Sequence, residues 1–488
     1  MAAECHTQFG FSFQSKLRVD FAGGTITSDG GLLLLRELDE RLGLTQQLTT
    51  AVRDPRDRRY ITHDLLTVLR QRVYQIAAGY EDANDATTLR HDPTLQVVAH
   101  RPGVELASQP TLSRLENEIE WGSIARLTRL GVEWFAAHGP AAGEVILDVD
   151  STDDPTHGAQ QLNFFNGHYD EHMYHPLLVF EGSSGLLLGS RLRAGNEGGA
   201  TRLLPLLRSI VGRLRAGRPG RRLALRVDGG FCNPEVLAYA EQAQLRYAIG
   251  LPTNSVLQAH VAHACAQAQK TFARHREPLR RFRAFWYRAE SWPAARRVCA
   301  KIEVTELGLN VRFVVTNRGG KPAAIFAWYN ARGQAENFIK DLKCDVAADR
   351  LSCHGFRANA LRLQLHALAY NLLVLFRQPC LGGHRAGPRD PRDRAPAPVQ
   401  GRRAGASHGA PSLGPSRHGL AGPSALPRGV GDPAPPARRP RLSRCRSATA
   451  GDSPPPVPRK CGGAAVPPAR PCCWLVPLRW VLSHHSRC

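Results

Sequence analysis

Three carboxylates in this chain stand where a fold could bring them into one metal site. Asp150 follows the apolar run 145–149, Asp228 follows the apolar run 223–227, and Glu336 lies in a predicted helix beginning near Gly333. Two Mg²⁺ ions held about 3.5–4 Å apart by such oxygens can activate the attacking oxygen and stabilise the leaving oxygen of a phosphodiester. The residues therefore predict a two-metal enzyme acting on DNA, with Mn²⁺ as a substitute for Mg²⁺.

The segments that must position these carboxylates follow a recognisable order. Apolar runs and turn residues predict strands, and apolar residues at helical spacing predict helices. The predicted elements are a strand at 145–149, a hairpin of 173–180 with 186–192, a helix at 200–214, a strand at 222–227, a helix at 234–244 and a strand at 247–251. This order is typical of an α/β, RNase H-like fold with a mixed five-stranded sheet and flanking helices. Its first and fourth strands are neighbours, so Asp150 and Asp228 are expected to meet.

The rest of the chain divides by its patterning. We predict a helical DNA-end-binding domain without strands, two parts of the catalytic core separated by a β-rich insertion, and a low-complexity tail. The predicted ranges are 1–140 for the helical domain, 141–255 for the first core part, 256–324 for the insertion, 325–377 for the last core part with Glu336, and 378–488 for the tail.

The tail differs abruptly from what precedes it. Residues 379–488 contain 21 of the 35 prolines, one lysine and no glutamate. Such a composition buries too little apolar surface to offset chain entropy. One interpretation is a natural disordered basic tail. We favour a reading-frame shift in GC-rich DNA near codon 378, because the composition changes within a predicted helix.

Charge and apolar content indicate the partner and the compartment. The net charge is +22, of which +14 falls in residues 379–488 (18 basic minus 4 acidic) and +8 in residues 1–378 (46 minus 38). A basic protein gains sequence-independent affinity for polyanions through counterion release. The chain has no run of about 18 apolar residues, no signal-like N-terminus and no regular Cys-x-x-Cys pairs. We expect a cytoplasmic, nucleoid-associated protein with reduced thiols and no membrane partner.

The residues around Glu336 form the most specific pattern in the chain. The spacing Tyr329, Arg332, Glu336, Lys343 places Arg332, Glu336, Lys340 and Lys343 on one face of a continuous helix. A carboxylate flanked by cations can bind metal while its neighbours hold phosphates. From the spacing alone, an ion-paired surface helix remains the alternative.

This spacing resembles the Y-R-E-K signature of insertion-sequence DDE transposases. The segments Leu147-Asp-Val-Asp-Ser-Thr-Asp-Asp-Pro-Thr-His-Gly, Arg226-Val-Asp-Gly-Gly-Phe and Tyr329-Asn-Ala-Arg-Gly-Gln-Ala-Glu-Asn are similar to the IS thirteen-eighty family. The resemblance runs from about Phe21 to Phe376. It implies that Asp150, Asp228 and Glu336 bind the metal ions. It also implies a bacterial element that moves by cut and paste, with a homodimer that recognises its terminal inverted repeats in double-stranded DNA.

The first aspartate has rivals. Asp148 shares a strand face with Asp150, and Asp153 and Asp154 follow in the predicted loop. We prefer Asp150 because it ends the strand and precedes Ser-Thr, as in related transposases.

DNA contacts can be predicted beyond the Y-R-E-K residues. Trp292 could stack on a flipped base at the element's end, and Arg114, on a predicted helix at 111–119, could enter a major groove. The competing interpretations are a hairpin core for Trp292 and a simple helix bundle for Arg114. The histidines between His157 and His175 raise the possibility of zinc, which their loop-like context disfavours.

Two other functional classes remain open. A transposase-derived protein could bind DNA ends without cutting them and act as a repressor. A host nuclease could cut without joining, although the long interval between Asp228 and Glu336 argues against it.

Overall fold

The N-terminal region of the computed structural model is mainly helical. The structure describes residues 9–11, 14–19, 26–382 and 480–481, with side chains for 26–378. The strands here are β1 (Phe9–Phe11), β2 (Gln14–Val19) and β3 (Ile26–Thr27), and the helices are α1 (Leu32–Leu42), α2 (Leu48–Ala51), α3 (Leu65–Ala77), α4 (Ala86–Leu89), α5 (Pro93–Val98), α6 (Gln109–Glu118) and α7 (Trp121–His138). The prediction that residues 1–140 contain no strands is wrong, because strands of two to six residues are too short to produce a clear alternation.

From residue 144 onward, most of the described strands belong to one large sheet. The strands are β4 (Glu144–Ser151), β5 (Asp154–Pro155), β6 (Phe164–Asn166), β7 (Glu171–Tyr174), β8 (Leu177–Glu181), β9 (Leu187–Arg191), β10 (Arg222–Val227), β11 (Arg246–Leu251), β12 (Leu279–Tyr287), β13 (Arg296–Thr305) and β14 (Gly308–Thr316). The helices are α8 (Leu203–Gly217), α9 (Pro234–Gln242), α10 (Ser255–His275), α11 (Pro322–Asn330), α12 (Gln334–Val346) and α13 (Phe356–Gly382). A final strand, β15 (Trp480–Val481), pairs antiparallel with β3.

The large sheet is mixed in direction. Its order among the described strands is β12-β13-β14-β11-β10-β4-β8-β9. β4, β10 and β11 are parallel neighbours, whereas β8 is antiparallel to β4 and β9 is antiparallel to β8. The central strands β4 and β10 are nearly continuous apolar runs and are mostly buried, as is typical of parallel strands covered on both faces.

Two strand predictions need correction. The region predicted as an insertion extends the same sheet, because β14 pairs antiparallel with β11, and the sheet has eight strands instead of five. The strand predicted at 173–180 is split, and its first part, β7, joins β5 and β6 in a separate three-stranded sheet. Pairing between distant segments decides both features, and local alternation does not encode it.

Helix α13 links the N-terminal helices to the sheet. It packs against α3, α7, α12 and β9. At its contact with α3 and α6, the fully covered carboxylate of Glu116 accepts from Arg72 Nε at 2.9 Å and from Arg362 Nε at 2.8 Å. Burial acts to raise the pKa of Glu116, but the two guanidinium groups outweigh it and lower that pKa.

The approach of α7 to the sheet depends on a glycine. A Cβ on Gly131 would lie 2.5 Å from the carbonyl oxygen of Leu187 on β9. Any larger residue at this position must push the helix away from the strand.

Helix α13 continues past the predicted boundary at 377 and ends at Gly382. Most of the predicted tail lies outside the described residues, so the choice between a disordered tail and a frame shift stays a prediction. Within the described residues, no helix combines the length and the apolar character needed to cross a bilayer.

Candidate active site

Asp150 lies near the carboxyl end of the central strand β4. Asp228 directly follows the neighbouring strand β10. The parallel register of β4 and β10 pairs Val149 with Val227, and the residue after each of these valines is an aspartate. Burial raises the pKa of Asp150 to about 6; Arg332 opposes this shift and the charge of Asp228 adds to it. Two neighbouring carboxylates repel each other unless a cation lies near them.

The rival aspartates have other partners or none. Asp148 is fully buried and forms a two-point ion pair with Arg226, with both N–O distances at 2.6 Å. Asp153 pairs with Lys343 at 2.9 Å. Asp154 is 1% exposed, and neither of its carboxylate oxygens has a hydrogen-bond partner among the described residues. Burial raises the pKa of Asp154 well above its ordinary value, and Asp349 adds to the shift.

The Y-R-E-K residues do not share one continuous helix. Tyr329 belongs to α11, Arg332 lies in a 3₁₀ turn at 331–333, and Glu336 is in the first turn of α12. The turn directs Arg332 back toward the sheet. Its Nη1 donates to Oδ2 of Asp150 at 2.8 Å, and its Nη2 lies 3.6 Å from Oε1 of Glu336. Lys340 is exposed and has no ion-pair partner within the described part of the chain.

The donor set fits a divalent cation only in part. Asp150 and Asp228 offer the oxygen ligands that Mg²⁺ and Mn²⁺ prefer. The side chain of Glu336 is 68% exposed, and the guanidinium of Arg332 contacts both Glu336 and Asp150. Among the described residues, no three Asp, Glu, His or Cys side chains are close enough to hold a metal ion, and this includes the histidines considered for zinc.

An open cleft extends from Gly229, the residue after Asp228, to Glu336. Its volume is about 480 Å³. The cleft is lined by Gly229, Gly250, Leu251, Pro252, Thr253, Lys301, Val311, Arg312, Phe313, Val314, Tyr329, Asn330, Arg332, Gly333 and Glu336. The sequence analysis did not predict that Lys301 and Arg312 line this cleft. The available signal was the tight turn between β13 and β14, which places these residues opposite each other.

The structure places Trp292 in the core. Its side chain is 4% exposed, it packs edge-on against Tyr287, and Arg296 lies 5.0 Å from its ring centroid. The prediction that Trp292 stacks on a base is therefore wrong for this conformation, because neither ring face is free. On the neighbouring strand β12, Trp286 is 70% exposed.

Two further residues, Arg114 and Tyr169, lie in different parts of the fold. Arg114 is exposed on α6, where its Nε donates to the carbonyl of Pro110. Tyr169 lies in the turn between β6 and β7, a position for which the sequence carried no distinctive signal. Burial raises the pKa of Tyr169, and the charges of Asp153, Asp150 and Asp228 add to the shift.

The chain was compared with solved structures, curated proteins and family models. The chain is similar to the solved structure described as "Cryo-EM structure of piggyBac transposase synaptic complex with hairpin DNA (SNHP)", with 11% identity, coverage of 75% of this chain and 82% of that chain, and a TM-score of 0.42. No curated protein matches the chain. The model of the family described as "Transposase DDE domain group 1" matches residues 9–389, most of the chain. The protein therefore belongs to the DDE transposase family of that group.

Proposed function

We propose that this protein is the transposase of a bacterial insertion sequence. In this proposal it binds the terminal inverted repeats and catalyses metal-dependent DNA cleavage and strand transfer. The observation that carries the proposal is the position of Asp150 beside Asp228 on adjacent parallel strands, in a chain that belongs to a DDE transposase family. The narrower assignment to the IS thirteen-eighty family and its Y-R-E-K signature is part of the proposal.

The strand order supports an RNase H-like catalytic core. The part of the sheet ordered β9-β8-β4-β10-β11 has the first strand of the core beside the fourth and an antiparallel second strand. In such sheets, residues at the ends of the first and fourth strands meet, as Asp150 and Asp228 do here.

Asp150, Asp228 and Glu336 are the proposed metal ligands. Bound Mg²⁺ or Mn²⁺ would supply charge stabilisation and oxygen activation at a phosphodiester. For Glu336 to join the aspartates, Arg332 must give up its contact with Asp150 or with Glu336. Once released, the Arg332 guanidinium is placed to pair with a DNA phosphate, for which its planar fork is suited.

The remaining protein groups would position DNA. We propose that the cleft lined by Tyr329 is the catalytic cleft, and Lys340 is exposed on α12 close to it. Lys343 becomes available to a phosphate only if it leaves Asp153. We propose the region 1–140, with Arg114 on an exposed helix face, as the end-binding domain of a homodimer. Trp286 replaces Trp292 as the candidate for base stacking because its ring is exposed.

The test is cleavage of DNA carrying the gene's own flanking repeats, with Mg²⁺ or Mn²⁺. Asp228→Ala and Glu336→Ala should abolish cutting at the repeat ends. Glu277→Gln, which removes an exposed carboxylate outside the cleft lining, should cut normally. Cutting that persists in both alanine variants would overturn the assigned ligands.

A second candidate is a DNA-end-binding protein without catalysis. The observation that favours it is the Arg332 guanidinium between Asp150 and Glu336, with no three-carboxylate cluster among the described residues. Specific binding of the repeats by folded protein, without any cutting in Mg²⁺ or Mn²⁺, would support this repressor-like function. Cut ends without joined products would indicate a nuclease.

A further inference from the structure

Two cations face each other across adjacent strands in the catalytic cleft. The register of β13 and β14 pairs Lys301 directly with Arg312. Like charges in this position repel and destabilise a strand pair unless an anion lies between or beside them. A directly opposed Lys–Arg pair is thus a place where an anion would be stabilising.

The neighbouring acid neutralises only part of this charge. Glu303 lies 2.7 Å from Nζ of Lys301, and it also accepts from Arg280 at 2.8 Å. Arg312 has no ion-pair or hydrogen-bond partner within the described residues. The Glu303 carboxylate therefore pairs with both Lys301 and Arg280. The Arg312 guanidinium remains available to a ligand.

Both cations belong to the lining of the catalytic cleft. Lys301 and Arg312 come from the strands, whereas Tyr329, Arg332 and Glu336 come from α11, the turn and α12. The lining thus carries three basic side chains and one acidic side chain. The cleft volume of about 480 Å³ lies in the range of pockets that hold small ligands.

Gly250 lines the cleft and is packed closely against neighbouring protein atoms. A Cβ on Gly250 would lie 2.7 Å from the Tyr329 hydroxyl and 2.7 Å from the backbone nitrogen of Gly229. The absence of a side chain at Gly250 therefore lets the Tyr329 hydroxyl lie next to the residue that follows Asp228. Because Gly229 lines the cleft together with Lys301 and Arg312, a ligand bound there would lie next to the residue that follows Asp228.

We propose that Lys301 and Arg312 form a phosphate-binding site for the DNA backbone, next to the phosphate that is cut. This site rests on the proposed function, and it adds a second set of phosphate contacts on the strand side of the cleft, separate from Arg332 and Lys343. The ligand is a backbone phosphodiester of the DNA end. Free inorganic phosphate shares this chemistry and is an outcome of the test.

The first measurement is the salt dependence of DNA binding in EDTA, with a fluorescent duplex that carries the gene's flanking repeat. Each lost phosphate contact should reduce the slope of log K against log [salt] by about 0.9. We expect this reduction in Lys301→Gln and in Arg312→Gln. Arg281→Gln is the matched control, because Arg281 is exposed on β12 and alternation places it on the opposite sheet face from Phe282, the register partner of Lys301.

The second measurement is chemical. Phenylglyoxal modifies accessible arginines, so peptide mass spectrometry can follow Arg312 and Arg281 in the wild-type protein. We expect the duplex to protect Arg312 and to leave Arg281 reactive. Protection by millimolar inorganic phosphate but not by the duplex would overturn the assignment to DNA.

These outcomes separate the site from the proposed function. Wild-type cleavage is measured on the same preparation, and equal melting temperatures of the variants exclude misfolding as a cause. An unchanged slope in Arg312→Gln together with an unprotected Arg312 overturns the phosphate site even if the wild type cuts DNA. A reduced slope with protection, in a protein that never cuts, supports the site while the transposase function fails.

Discussion

Arg332 holds two of the three proposed metal ligands at once. Its Nη1 donates to Oδ2 of Asp150 at 2.8 Å, and its Nη2 lies 3.6 Å from Oε1 of Glu336. The Arg332 side chain is only 15% exposed, so salt and water screen its interaction with Asp150 only weakly. In this conformation a positive side chain supplies the charge that a divalent cation would supply.

Removal of this guanidinium should favour metal binding. We expect Arg332→Gln to bind Mn²⁺ about tenfold more tightly than the wild type in the absence of DNA, a difference of about 1.4 kcal/mol. The physical reason is that the side chain and the cation compete for the same oxygen of Asp150. Isothermal titration measures the affinity. Arg283→Gln, a change at an exposed site on β12, should leave it unchanged, and an unchanged affinity in Arg332→Gln would refute the competition.

Asp154 should make stability depend on pH. Its folded-state pKa lies well above the unfolded value near 3.8, because burial disfavours the charged form. A raised carboxyl pKa contributes stability below the unfolded pKa, and this contribution is lost as pH rises through the folded pKa. Asp154→Asn cannot ionise, so the margin of its unfolding free energy over that of the wild type should grow as pH rises above the unfolded pKa. Urea unfolding of both proteins at each pH measures this margin, and a constant difference would contradict the buried, unpaired carboxyl.

The buried ion triad should stabilise the contact between α13 and the N-terminal helices only as a complete set. Glu116→Ala leaves Arg72 and Arg362 buried without their carboxylate, and we expect a loss of roughly 3–5 kcal/mol in unfolding free energy. Glu37→Ala, which removes an exposed i,i+4 pair with Arg41, should cost less than about 1 kcal/mol. Chemical denaturation compares the two variants. Equal losses would show that burial of the triad does not matter.

Two helix glycines should respond to alanine with opposite signs. Gly131→Ala forces a Cβ to 2.5 Å from a backbone oxygen, and the expected destabilisation is about 1–3 kcal/mol. Gly212, within α8, has nothing within 4 Å of the same position, so Gly212→Ala should stabilise the protein by up to about 1 kcal/mol. Thermal melts of the pair test this, and a stabilised Gly131→Ala would show that α7 can shift away from β9 at little cost.

The local sequence predicted the strands that end at Asp150 and Asp228 and the helix that carries Glu336. Runs of apolar residues between turn residues encode such elements locally. The prediction that Asp150 and Asp228 are neighbours needed only the strand order in addition, and the register of β4 and β10 agrees with it.

The three-dimensional arrangement decided the rest. The pairing of β14 with β11 turned a predicted insertion into part of the main sheet, and it brought Lys301 and Arg312 into the cleft. Packing against Tyr287 and Arg296 buried Trp292, and a turn before α12 directed Arg332 to Asp150. The sequence by itself determined the elements and the residue types of the site, because hydrophobic periodicity and turn residues act over short stretches of chain. Only the tertiary structure decided which strand edges pair and which charges meet, because these choices depend on residues far apart in the chain.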